Sequence, residues 1–262
     1  MSRRNPDVGG PEVTTGTLRV EDHRPIERPE SVRLAGTETA RMVGLLRSLD
    51  PADWARPTDC TKWDVRAVAG HVLGMTESFS SVPRFARTMI GASRKKGAGP
   101  FIDAMTDLQV RGNAGLSTAE LVGRMEAAGP VQARWRGSRR LMRAIPLAGD
   151  LHDGTSEPWR LAFILDVILT RDTWMHRIDI ATATGRPLQL TAGHDGRIVA
   201  DVVAEWARRH GQPFRLQLTG PAGGGFTSGT GGPELTIDAI TFCRTLGGRL
   251  PGEGLLAQEV PF

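Results

Sequence analysis

Apolar positions in this chain keep a helical period over roughly the first two-thirds and a mixed one after that. From Thr37 onward, Met42, Leu45, Leu46 and Leu49 recur at three- and four-residue steps, which predicts a helix buried on one face and stopped at Asp50-Pro51. The stretch from Asp53 to Trp63 holds two Trp, a Pro and a Cys and reads as a packed loop. Asp64 then stands as an N-cap before Val65, Val68, Ala69, Val72, Thr76 and Phe79. That stripe predicts a helix to about Ile90, with Trp63 placed to staple onto Val68. GASRKKGAGP reads as turn or loop. Ser117-Thr118-Ala119-Glu120 is a capping box whose helix runs through Leu121 and Met125, across a break at Gly129-Pro130, to about Ile145. After the loop IPLAGDLHDGTSEP, a further long helix is predicted from about Pro158 to Thr184, where Gly185-Arg186-Pro187 ends it. Beyond it, residues 192–209 read as helix, Phe214 to Leu218 and Glu234 to Ile237 as strands, Ala239 to Leu246 as helix, and Leu255 to Val260 as a final strand.

The pattern divides the 262 residues into a flexible arm over 1–33, a helical part over 34–188 and a small α+β part over 189–262, with no internal repeat. A hydrophobic fraction of 39% and a charged fraction of 24% are those of a globular protein in water. No apolar run is long enough to cross a membrane, and the polar N-terminus has no secretory h-region, so a cytoplasmic protein is expected. The net charge is +4, but the basic residues are spread among acids and their one dense cluster, Arg94, Lys95 and Lys96, is short. With no tyrosine and no aromatic–basic interleaving, nucleic acid is not an expected partner. Cys60 and Cys243 lie far apart without a CxxC spacing, which excludes a disulfide framework and a cysteine-rich zinc site; Cys243 reads as core.

The helix LAFILDVILTRDTWMHRIDIATATG carries an anomaly. At about 100° per residue, Leu161, Ile164, Leu165, Ile168 and Met175 define an apolar face, and Asp172 and His176 fall inside it. A buried carboxylate needs a partner. Asp172 and His176 are four residues apart, so both side chains point to one place and can grip one cation. A catalytic zinc takes three protein ligands, which asks for a third from a neighbouring helix. His23 lies in the arm, His152 in a loop, and His194 and His210 in the last third; His71 lies two turns into a long helix beside its apolar stripe. The same spacing also fits an Asp–His pair bonded only to each other. Asp179, on the same stripe, can orient a ligand histidine or pair with an arginine.

At these residues the sequence resembles a known family. CTKWDVRAVAGHVLGM resembles the "gWtvrdvvaHl" signature of the mycothiol-dependent maleylpyruvate isomerase family, within the DinB-like superfamily. RDTWMHRIDIATATGRP resembles that family's second metal-binding helix, and FCRTLGGRLPGEGLLAQEVPF its C-terminal ending, so the resemblance covers about residues 35 to 262. It implies a mixed α and α/β chain: an N-terminal DinB-like four-helix bundle followed by a small sterol-carrier-like α+β domain. It implies zinc, or another divalent metal, at His71, Asp172 and His176, although the family often has Glu where Asp172 stands. It also implies mycothiol as cofactor.

Three protein ligands leave a zinc position open for a thiol, whose pKa the metal would lower. Neither Cys60 nor Cys243 is expected to supply that thiol, so the resemblance assigns it to mycothiol, a low-molecular-weight thiol, acting on a small-molecule electrophile. Addition with rotation and elimination is cis–trans isomerisation; addition or displacement alone is S-transfer; water in the open position gives hydrolysis. Arg84 and Arg87, expected on the His71 helix, and Arg244 and Arg249 near the C-terminus are candidates to hold carboxylates of cofactor or substrate, and each also fits a surface or structural role. The competing function is a non-catalytic, metal-containing protein that binds small molecules or lipids; under either reading a monomer or homodimer is expected. GPAGGGFTSGTGGP lacks the Lys-Ser/Thr ending of a phosphate-binding loop and reads as a hairpin-like connection.

Overall fold

The computed structural model describes residues 16–97, 99–138, 140–150 and 156–262. Residues 1–15 of the expected arm, and His152, lie outside them. Four helices close a ring: α1 (Arg28–Arg47) packs on α5 (Thr118–Ser138), α5 on α2 (Val65–Ser78), α2 on α7 (Leu169–Thr184), and α7 back on α1. Met42, Leu46, Val68, Leu73, Leu121, Met125 and Ile180 fill the space between them.

Several boundaries differ from the expected ones, each for a local reason. α1 begins at Arg28, before Thr37, because Pro29 suits a first turn and Ser31, Leu34, Ala35 and Glu38 continue the buried face. Residues 28–33, expected in the arm, are therefore helical. α2 ends at Ser78, short of Ile90. Pro83 has no N–H to continue the ladder, and Ser81 caps a separate helix, α3 (Val82–Lys95), which takes Arg84 and Arg87 off the His71 helix. α4 (Phe101–Asn113), a helix the periodicity above does not predict, lies along α2. α5 passes through Pro130 without a break. Where a loop was expected, β2 (Pro146–Asp150) and β3 (Ser156–Arg160) pair antiparallel, so Pro158 is a strand residue. The last bundle helix starts with one turn, α6 (Leu161–Phe163), and enters α7 through a π-helical stretch, Ile164–Ile168. There the fully buried Arg136 of α5 donates to the Leu165 carbonyl and the Thr170 hydroxyl.

In the last third, β4 (Phe214–Thr219) pairs antiparallel with β5 (Gly224–Ser228) and parallel with β6 (Glu234–Asp238). β5 comes from within the glycine-rich stretch, and β1 (Leu18–Arg19) adds a parallel edge to it, so this part of the expected arm is strand. α8 (Arg197–His210) and α9 (Ala239–Leu246) cover the sheet with Val202, Trp206, Phe242 and Leu246 over Phe214 and Leu216. The final strand expected at Leu255 to Val260 is instead a 3-10 turn, Gly254–Ala257, followed by extended chain. Trp174 and Ile178 of α7 belong to this second core, so one helix serves both parts of the chain. No helix among the described residues is long and apolar enough to cross a membrane.

Candidate metal centre

α2 and α7 bring His71, Asp172 and His176 to one point in the interior. His71 is 2% exposed and His176 6%. The rings meet edge to face, 5.1 Å between centroids. Their Nε2 atoms both turn to Asp172 Oδ1, at 3.2 Å from His71 and 3.6 Å from His176. Trp63 lies 5.1 Å from the His71 ring and 6.2 Å from the His176 ring, so it packs beside the pair.

The far nitrogens are committed elsewhere. His71 Nδ1 lies 2.8 Å from Gln109 Oε1, and His176 Nδ1–H donates to the Asp179 carboxylate, Oδ2, at 2.9 Å. Asp172 and His176 are thus not simply bonded to each other: the hydrogen bond of His176 goes to Asp179. Each ring thereby turns its Nε2 to the centre. Asp172 Oδ2 is buried with no hydrogen-bond partner. Two imidazole lone pairs and a carboxylate facing one another repel unless protons or a cation lie among them. Two imidazoles and one carboxylate are also a donor set that divalent transition metals take, so the residues fit such an ion. Burial works to raise the Asp172 carboxyl, yet the neighbouring His71, with His176 and Arg249 beyond, holds it below the usual carboxylate range.

Asp179 contacts both a histidine and an arginine. It accepts from His176 and pairs with Arg249, whose Nη2 lies 3.1 Å from Oδ2. Burial opposes its charge, but the His176 hydrogen bond and the Arg249 guanidinium bring its carboxyl down to about 2. Cys60 is closer to the centre than the sequence led us to expect: Sγ is 3.9 Å from His176 Nδ1 and 3.6 Å from Asp179 Oδ2. It sits on the Nδ1 side of the ring, and burial together with the Asp179 charge pushes its thiol up to about 12, against the pull of Arg249.

The other predicted arginines lie apart. Arg244 pairs with Asp59, in the same loop as Cys60, at 2.8 Å. Arg84 pairs with Glu77 at 3.5 Å with its own side chain half exposed, and Arg87 is exposed. A second acid–histidine group, Glu38, His194 and Asp195, is buried between α1 and the start of α8. Arg177 bridges both of its carboxylates and Arg41 reaches Asp195, so guanidinium groups already balance its charge. Sequence reasoning also missed Gln109, because its helix was not predicted; the apolar spacing Phe101, Met105, Leu108 was the available signal.

The sequence profile of the family described as "Mycothiol maleylpyruvate isomerase N-terminal domain" matches residues 35–181, more than half of the chain. The chain belongs to this family. The match takes in His71, Gln109, Asp172, His176 and Asp179, and stops before Arg244 and Arg249. The crystal structure of the mycothiol-dependent maleylpyruvate isomerase aligns over 89% of this chain and 93% of its own, at 16% identity and a TM-score of 0.53. A variant of that enzyme with a histidine replaced by alanine aligns over the same shares, at 16% identity and a TM-score of 0.50. At this identity the likeness to the maleylpyruvate isomerase speaks for the fold, helices with a small sheet, and not for the reaction. No curated protein matches the chain.

Proposed function

We propose that this member of the maleylpyruvate isomerase family is a metal-dependent enzyme that uses mycothiol, with His71, Asp172 and His176 as ligands of zinc or another divalent ion. One observation carries the reading: two Nε2 atoms meet on one buried carboxylate whose second oxygen has no partner. A divalent ion bound there lowers the pKa of a thiol and supports a thiolate at neutral pH. The reaction class is addition of that thiol to a small-molecule electrophile, of isomerase or S-transferase type.

The chain's own residues shape the site. Asp179 holds the His176 ring through Nδ1, and Arg249 balances the Asp179 charge, so the acid orients the ring without adding net charge. Trp63 packs beside both rings. Arg249 stands where the C-terminal segment meets the centre, and with Arg244 it is the arginine we assign to a carboxylate of cofactor or substrate. Arg84, which stands on α3 and not on the His71 helix, is left out of that role. We read the ring of α1, α2, α5 and α7 as the DinB-like bundle, beginning at Arg28 rather than 34 and running to 188, and the sheet with α8 and α9 as a sterol-carrier-like domain over 189–262 joined by β1, in a cytoplasmic protein.

The test is an assay of zinc-reconstituted protein with mycothiol against maleylpyruvate and a panel of activated alkenes and aryl halides. Turnover is expected with mycothiol, none without a thiol, and none in His176→Ala. A protein that keeps its metal and turns over nothing in the panel is instead a non-catalytic binding protein.

A further inference from the structure

α2 meets α4 across Gly70 and Gly74, where an added Cβ would touch Asn113 and Gln109. A Cβ on Gly74 would lie 2.5 Å from Gln109 Cβ and 2.7 Å from Gln109 Cγ, so only glycine admits Gln109 here. One turn further along α4, Asn113 Nδ2 donates to the Gly70 carbonyl at 2.8 Å and fixes the register of the two helices. The two glycines bracket His71.

Gln109 is 5% exposed and its amide is held at both ends. Nε2–H donates to Met75 Sδ at 3.0 Å, and Oε1 lies 2.8 Å from His71 Nδ1. A thioether accepts hydrogen bonds and donates none, so the amide N–H faces the sulfur and the oxygen faces the ring. An oxygen that only accepts places the proton on His71 Nδ1. Nε2 then turns to Asp172. Unlike Asp179 on the other histidine, this partner is neutral and needs no arginine to balance it.

We propose that Gln109 is the positioning residue for His71: it accepts the hydrogen bond of Nδ1–H and fixes the tautomer and ring orientation that direct Nε2 into the centre, and Gly74 is the opening that lets it do so. The metal consequence rests on the function proposed above; the tautomer does not. In metal-free protein under mildly alkaline conditions, imidazole proton–nitrogen NMR should show a His71 Nδ1–H protected from exchange in the wild type and in Gln109→Glu, which keeps the acceptor. The signal should be lost in Gln109→Leu. By chelator competition, zinc affinity should fall about 10- to 100-fold in Gln109→Leu and stay within about threefold of wild type in Gln109→Glu. If the leucine variant does not fold, Gln109→Met makes the same comparison with an unbranched side chain, and the wild-type spectrum still decides the tautomer. A wild-type His71 with no proton on Nδ1, or unchanged zinc affinity in folded Gln109→Leu, overturns the proposal. A Gln109-dependent Nδ1–H in a protein that takes up no zinc leaves the positioning standing and removes the metal reading.

Discussion

His71 and His176 each have one nitrogen spoken for and one turned inward, and the centre depends on that division. Replacing either by alanine removes a whole donor, so His71→Ala and His176→Ala should each abolish zinc uptake by elemental analysis while circular dichroism still reports the helical fold; either variant retaining a full equivalent would exclude that residue as a ligand. Cys60 gives a second check at this scale. Its thiol is pushed from about 9 to about 12, which leaves on the order of a thousandfold less thiolate than an ordinary cysteine. It should therefore resist iodoacetamide in the native protein and react readily once unfolded, as read by mass spectrometry; rapid native labelling would contradict its placement. Asp172 and His176 were legible in the sequence because a carboxylate and an imidazole stand on an apolar helix face. His71 was reached by elimination and family signature. Cys60 and Gln109 were not legible: one lies in a loop whose path no periodicity reports, and the other on a helix that shows its value only when packed on α2.

Helices α2 and α4 owe their close contact to missing side chains, and the contact is sensitive to a single methyl group. Gly74→Ala, with its Cβ 2.5 Å from Gln109, should cost about 1–3 kcal/mol in urea unfolding through overpacking, more than the small gain that alanine brings to an exposed helix. A stability equal to or above wild type would mean that the helices separate without penalty. Element boundaries were harder to read than element types. Apolar residues continue past Phe79 at three- and four-residue steps, Phe85, Met89 and Ala92, so a helix to Ile90 was expected; the stripe turns to the opposite face at Ser81 and Pro83, where the break lies. The glycine-rich stretch hid β5, which needs little side chain because β1 and β4 supply its backbone partners on both edges. The π-helical stretch before α7 has no sequence signal that we recognise.

Across the whole molecule, α7 ties the bundle to the sheet. Its Arg171 is fully buried and bonds Asp201 and Glu205 of α8 and the Pro261 carbonyl, while His23 reaches Asp201 from the other end of the chain. Burial opposes the Asp201 charge, but Arg171 and His23 hold its carboxyl down to about 2. A carboxylate lowered on folding stabilises above its unfolded pKa and loses that contribution as pH falls toward the folded value. Asp201→Asn should thus be less stable than wild type at neutral pH by about 2 kcal/mol or more, with the gap closing between about pH 4 and about pH 2. A gap that ignores pH over that range in urea titrations would contradict the pairing. The same helix that carries this junction carries Asp172 and His176, so the geometry of the centre follows from how the two parts are docked. The most direct test of the account is the metal content of the purified wild-type protein after zinc reconstitution and removal of excess ion. About one equivalent per chain is expected for a site with two histidines and one carboxylate; less than about a tenth of an equivalent would contradict it.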